Sequence, residues 1–328
     1  MTIKLKPPII NPDEIRDLGF GSVVAGESRQ RLLNRDGSFN VGREGLNFWE
    51  SHSLYHMLLT MSWPRFLSLM TLYYVLINLL FTFAFMLCGT DALSAPETEP
   101  YGKMFWRALF FSIDTFATIG YGNISPVGYA SNLIVTLEAF VGIISVALLT
   151  GVIFARFSRP TAKILFSERA VVAPYKGLMA FEFRLTNARR NQIIELGAKV
   201  MLARFEEVNG KSVRRFYPLT LEREKVAFLP LSWTIVHPID EQSVLYGLTQ
   251  EDLVRTGAEF LILLTGIDET FSQTVHARSS YTANEVVWNA RFKDIYNRST
   301  DSENLMIDVR RLHLIEPLPD SASPLLKA

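Results

Sequence analysis

Cysteine is almost absent from the sequence: Cys88 stands alone among 328 residues, which excludes an intrachain disulfide and any metal site built on a thiolate cluster. An excess of either charge is missing too, with 33 basic residues against 33 acidic ones. The chain therefore does not read as a nucleic-acid binder, whose footprint is basic charge gathered on one face. No apolar core segment occurs in the first forty residues, so no secretory signal is expected there, and the first apolar span is expected to serve as its own insertion signal. Catalytic signatures are lacking as well. There is no Gly-x-Ser-x-Gly elbow, no glycine-rich phosphate loop and no His-Glu-x-x-His pair, which predicts a protein that is not an enzyme and needs no cofactor. His237 and Asp240 stand close together, but in a strand-to-turn context that suits a structural hydrogen bond.

Charge is also missing locally, and there the gaps are informative. Residues 66–87 carry none, and about 22 residues at 1.5 Å rise give roughly 33 Å, enough to cross a bilayer core. A first span is predicted over about 64–88, entered through Trp63-Pro64, an interface anchor with proline in the first turn. Asn78 inside it suits a hydrogen bond between helices. Residues 131–155 carry one charge, Glu138, and a second span is predicted over 130–157. An ionisable side chain inside a span is a functional candidate by default. Glu138 has two readings, as a hydrogen-bonded support behind the pore elements or as a group facing an ion path. Gly142 and Gly151 each weaken a helix by roughly 1 kcal/mol relative to alanine, so each marks a bend or a close-packing site.

Between the spans, residues 89–100 are polar and read as an external turret. A helical period over 104–117 is too short to span, and it leads into Thr118-Ile119-Gly120-Tyr121-Gly122. Glycine carries no steric penalty at positive φ, so this stretch can turn successive carbonyls to one side. Four such strands around an axis would make rings of oxygen able to replace the water shell of a potassium ion. In a soluble protein the same residues would read as a surface turn. Non-helical backbone at membrane depth is tolerated only when protein or a water-filled cavity encloses it. The short helix enters from outside, so its carboxyl end, with partial negative charge, favours a cation at the membrane centre.

Arg156, Arg159, Lys163 and Arg169 follow the second span, and this cluster predicts that both termini are cytoplasmic. Each such charge is worth about 1 kcal/mol near anionic lipid, and enforcement of topology is the plainer reading. Counting turns back from the cluster places Phe154, Thr150, Ala147 and Ile143 on one stripe, where Phe154 could close a pore by dewetting or merely pack helix on helix. Residues 1–45 show no sustained period and read as a cytoplasmic tail. Residues 46–62, with Trp49, Leu54, Tyr55, Leu58 and Leu59 at helical spacing, suit a helix lying along the interface. His52 and His56 share a face with no further ligand beside them. From 158 to 328 the period shortens to two, with strands expected around 178–185, 199–205, 229–236, 260–264 and 273–278, which suggests an antiparallel sandwich.

The run from Phe110 to Gly122, the segment Ala155 to Pro160 and the stretches Trp233 to Asp240 and Ala277 to Trp288 resemble the inward-rectifier potassium channels, most closely their prokaryotic branch. The resemblance covers the chain from about Trp49 onward. It implies a homotetramer in the cell membrane with a two-span pore domain (63–157) and an immunoglobulin-like cytoplasmic β-sandwich (158–328). Potassium would be the permeant ion and 118–122 the selectivity filter, with K+ held by the backbone carbonyls of Thr118, Ile119, Gly120 and Tyr121. It also implies a gate at Phe154, an interfacial slide helix and regulation by anionic, phosphoinositide-like lipid through Arg156, Arg159, Lys163 and Arg189. Glu195 corresponds to a vestibule acid, while a second family acid falls on Thr265 and a cavity acid falls on Val146, so steep rectification is not expected. The family's glutamate at Asp114 pairs with an arginine after the filter, where this chain has Asn123 and Ile124, so that ion pair is missing. Two other readings remain at this point: a weakly selective cation channel, and a membrane-anchored binding module with a non-conducting pore segment.

Overall fold

The computed structural model describes residues 30–40, 53–94, 101–158, 163–189, 191–208, 210–229, 231–297 and 306–319. They divide into two compact units, Glu44–Arg159 on one hand and Met1–Arg43 with Pro160–Ala328 on the other.

The first unit is helical. Helix α1 (Leu54–Thr60) starts where the Ser53 hydroxyl accepts the His56 N–H, a side-chain cap that satisfies one orphan donor of the first turn. Helix α2 (Trp63–Leu87) has Pro64 in its first turn, where the missing N–H costs nothing. Helix α3 (Tyr101–Phe116) is followed after a short break by α4 (Gly128–Phe157). Among the described residues, α2 and α4 are the two helices long and apolar enough to cross a membrane. Phe81 and Phe85 of α2 pack on Ala108 and Phe111 of α3 in one buried cluster that also takes in Leu93, and Phe85 meets Phe111 edge-on at 5.2 Å. Most large side chains of α2 and α4 face outward, so the unit presents apolar surface of the kind that marks an interface with lipid or with other protein. The part of the expected interfacial helix before residue 53 lies outside the described residues.

The second unit is built on two five-stranded sheets. Strands β1 (Ile164–Phe166), β2 (Ala170–Tyr175) and β3 (Leu178–Asn187) precede β4 (Ile193–Val208), β5 (Lys211–Leu219), β6 (Lys225–Phe228) and β7 (Ser232–Ile239). A short helix α5 (Gln250–Arg255) then leads to β8 (Glu259–Asp268), β9 (Gln273–Thr282) and β10 (Val286–Trp288). In one sheet β3 is central, with β7 along one edge, β1 and β2 along the other, and β10 parallel to β2, the one exception to antiparallel pairing in these two sheets. In the other, β4 carries β5 and β6 on one edge and β8, then β9, on the other. Alternate residues of β3, among them Phe181, Phe183 and Leu185, point into the core with Phe260 and Ile262 of β8, and Phe181 stacks on Phe260 at 4.1 Å. Two small ribbons complete the unit: β11 (Ala290–Phe292) with β14 (Ile315–Pro317), and β12 (Tyr296–Asn297) with β13 (Met306–Ile307).

Residues 30–40, within the stretch read from the sequence as a tail, are packed on the sandwich. They turn back on themselves, Leu33 bridging Phe39, and are fastened to the sandwich. The buried Glu259 carboxylate accepts the N–H groups of Leu32 and Leu33 at 2.9 and 3.1 Å. Arg31 donates to the Ser280 carbonyl and hydroxyl and to Glu285, and Leu32 and Leu33 pack on Ala203, Phe216 and Leu261. Backbone capture by a buried carboxylate leaves no hydrophobic period to read, which is why the sequence pattern does not announce it.

Candidate functional site

Helix α3 ends at Phe116, and the chain that follows adopts left-handed φ at every second residue: Thr118 at 56°, Gly120 at 69° and Gly122 at 77°. In an ordinary strand carbonyls alternate sides. Inverting φ at alternate residues allows them to turn to a common side, which is the backbone condition for a row of oxygens. Gly120 and Gly122 adopt that geometry freely, and neither would meet an atom within 4 Å if it carried a Cβ. Thr118 does not, since a β-branched residue at positive φ is strained.

The segment is tied to α3 through its amides. The N–H groups of Thr118 and Ile119 donate to the carbonyls of Thr115 and Asp114 at 3.0 and 2.9 Å, and the Tyr121 N–H donates to the Asp114 carboxylate. Beyond Gly122, Ile124 packs against the Leu93, Phe81 and Phe111 cluster. Leu93 bridges Pro126, and the Ser94 and Val127 N–H groups donate to Ser125 and Ala92 carbonyls at 2.8 and 2.9 Å. In the sequence Asp114 stands out only for the ion pair it lacks. Its service to the Tyr121 amide was not legible, because a contact over seven residues across a turn leaves no period.

Glu138 does not turn outward with Val146 and Thr150. It is fully buried with Oε1 2.5 Å from the Ser112 hydroxyl of α3. Four residues on, Gly142 lies so close to α3 that a Cβ would meet the Phe116 carbonyl at 2.7 Å, which makes it a close-packing site. Gly151 has nothing within 4 Å, and α4 runs unbroken past it. Ile143, Ala147, Thr150 and Phe154 share an exposed stripe with Val146, Phe154 being 72% exposed.

Arg156, read from the sequence as a lipid contact, is turned back onto its own unit. Its guanidinium donates to the Leu58 carbonyl and, at 2.8 Å, to the Met61 carbonyl, and lies over the rings of Trp63 and Phe66 at 4.6 and 4.5 Å. It thereby caps the carboxyl end of α1, whose last carbonyls have no helical partner. Lys163 is exposed, and the Arg189 N–H donates to the Asn187 side chain. Arg159 lies outside the described residues. Glu195 sits at a bulge in β4 with φ 52° and pairs with Lys225 at 3.0 Å, a partner that sequence reasoning missed. Thr265 faces His276 across β8 and β9 at 3.1 Å. His237 is buried, its Nδ1 donating to the Thr220 carbonyl and its Nε2 accepting from Ser243, at 2.6 and 2.7 Å.

Residues 164–325 match the family model described as the inward rectifier potassium channel C-terminal domain, and residues 72–159 match that described as ion channel. The inward rectifier potassium channel Kirbac3.1 of Paramagnetospirillum magnetotacticum is 42% identical over 299 residues, which cover 90% of this chain and 99% of that protein. Inward rectifier potassium channel 18 of Homo sapiens is 27% identical over 317 residues, covering 89% of this chain and 72% of its own. The ATP-sensitive inward rectifier potassium channel 12 of Bos taurus matches at 27% over 317 residues, 89% of this chain and 73% of that protein. With its two spanning helices and its β-sandwich, the chain belongs to the inward-rectifier potassium channel family: it is a membrane potassium channel and not an enzyme.

Proposed function

We propose that four copies of the chain surround a central pore whose selectivity filter is 118–122, the carbonyls of Thr118, Ile119, Gly120 and Tyr121 taking the place of water around K+. The observation that carries this reading is the alternation of left-handed φ at Thr118, Gly120 and Gly122. It aims successive oxygens at one side, and only a closed ring of copies can turn that side into ion sites. The strain at Thr118 fits a site where geometry is favoured over local stability.

The exposed stripe of Ile143, Ala147, Thr150 and Phe154 would line the inner path, with Phe154 as the dewetting gate. Both termini would be cytoplasmic, with the sandwich from 158 onward relaying intracellular signals. Arg159, Lys163 and Arg189 are the proposed contacts for anionic lipid. With Val146 in the cavity and Glu195 neutralised by Lys225, the inner path offers little negative charge to hold a polycation, and rectification should be shallow.

The test is cation flux through purified protein in liposomes. Rubidium uptake blocked by barium, abolished in Gly120→Asp and not matched by sodium supports the reading. Equal sodium flux would favour a weakly selective channel, and indifference to both barium and Gly120→Asp would favour a binding module.

A further inference from the structure

Three buried polar side chains from three helices meet behind the filter: Asn78 of α2, Ser112 of α3 and Glu138 of α4, none more than 1% exposed. The Ser112 hydroxyl oxygen lies 2.5 Å from Glu138 Oε1, 3.1 Å from Asn78 Oδ1 and 3.2 Å from the Asn78 carbonyl. All three neighbours are acceptors, and a serine hydroxyl has one hydrogen to give. The orientation of the Asn78 amide is fixed, because its Nδ2 donates to the Tyr74 carbonyl at 2.7 Å. The Asn78 carbonyl already receives the Thr82 hydroxyl at 2.6 Å. Asn78 Oδ1 therefore depends on the Ser112 hydrogen.

If that hydrogen goes to Asn78, the contact between Ser112 and Glu138 must take its hydrogen from the carboxyl group. An ionised Glu138 would leave one of the two contacts as bare oxygen against oxygen. It would also leave Oε2, which has no hydrogen-bond partner, as an uncompensated negative atom out of reach of water, far costlier than an unpaired neutral carbonyl. We propose that Glu138 is held as a neutral carboxylic acid, donating to Ser112 in a chain that ends on Asn78, and that it is a positioning residue for the filter.

The mechanical part follows from the spacing. Glu138 and Gly142 are four residues apart on α4, and Ser112 and Phe116, which they touch, are four apart on α3. Two successive turns of each helix are thus keyed together, one by a hydrogen bond and one by backbone contact. Asp114, which holds the amides of Ile119 and Tyr121, lies between the two keyed positions. The inference rests on the filter reading above.

The experiment is difference infrared spectroscopy on the full-length protein in lipid at neutral pH, paired with rubidium and sodium flux. The wild type should show the carbonyl stretch of a buried protonated carboxyl that disappears in Glu138→Gln, while Ser112→Ala should shift that band without removing it. Glu138→Gln, able to donate through its amide, should keep rubidium selectivity, and Glu138→Ala should lose it by about tenfold, the worth of one buried hydrogen bond. Absence of the band in the wild type, its persistence in Glu138→Gln, or equal loss of selectivity in the glutamine and alanine variants would overturn the proposal. Absence of rubidium flux in the wild type would instead overturn the channel reading, leaving the band to report the proton by itself.

Discussion

Both carboxylate oxygens of Asp114 lie against the Tyr121 backbone nitrogen, at 3.3 and 3.2 Å, while the carbonyl of the same residue accepts the Ile119 N–H at 2.9 Å. One residue of α3 thus holds alternate amides of the proposed filter. A hydrogen bond to a charged acceptor contributes about 1.5 kcal/mol or more. Asp114→Asn keeps an acceptor without the charge, and Asp114→Ala removes it. The potassium-to-sodium permeability ratio, read from bi-ionic reversal potentials, should fall in the order wild type, Asn, Ala. Equal ratios across the series would mean that the filter is held by other contacts.

The approach of α4 to α3 makes a second prediction. A Cβ at position 142 would meet the Phe116 carbonyl oxygen at 2.7 Å and its carbonyl and α carbons at 3.4 Å. The obstacle is backbone and cannot swing aside, so Gly142→Ala should cost about 1–3 kcal/mol through overpacking and disturb the residue that leads into the filter. Gly151→Ala meets nothing within 4 Å and should be tolerated. Thermal aggregation midpoints of the two variants in detergent, with flux beside them, check the contrast.

The legible part of this molecule was what composition and period can encode. Long apolar stretches with no charge or a single one mark α2 and α4 because a bilayer core admits little else, and alternation marks strands such as β3 because one face must be buried. The illegible part consists of contacts made by single atoms across space. The stretch 118–122 singles out Thr118 in the sequence without giving its left-handed φ, and nothing in the sequence pairs Lys225 with Glu195. The hairpin at 30–40 escaped for the same reason: its hold is a carboxylate more than 200 residues away, Glu259, closing on two amides. Arg156 was legible as a basic residue after a span but not as the cap of α1.

That last distinction is testable. If Arg156 serves mainly as a positive charge near lipid, Arg156→Lys should be tolerated. If it serves as the planar fork that reaches the Leu58 and Met61 carbonyls and lies over Trp63, lysine cannot replace it. We expect Arg156→Lys to lower amide protection across α1 in hydrogen exchange nearly as much as Arg156→Ala. Wild-type protection in the lysine variant would restore the lipid reading.

Acid and base should move the sandwich in opposite ways through one half-buried group, Glu182, and one buried group, His237. Burial, partly offset by Arg184 and reinforced by Glu222, raises the Glu182 carboxyl from 4.5 to about 7. The stability it contributes is fully present below about pH 4.5 and is lost as pH rises through 7, because the unfolded chain sheds that proton first. Burial lowers the His237 imidazole from its ordinary 6.5, so its contribution is lost as pH falls below that value. Unfolding temperatures of the full chain between about pH 4.5 and 8 should therefore show a falling limb toward neutrality that Glu182→Gln flattens, leaving the acid-side loss due to His237. An unchanged profile in Glu182→Gln would exclude the carboxyl as its source.

In the proposed filter, backbone oxygens of 118–121 stand in for water around a potassium ion. The most direct measurement is anomalous diffraction from crystals grown with rubidium in place of potassium. The account predicts a file of peaks on a four-fold axis, each beside carbonyls of Thr118, Ile119, Gly120 or Tyr121. A filter segment packed against protein with no axial peaks, or an assembly of fewer than four subunits, would contradict it.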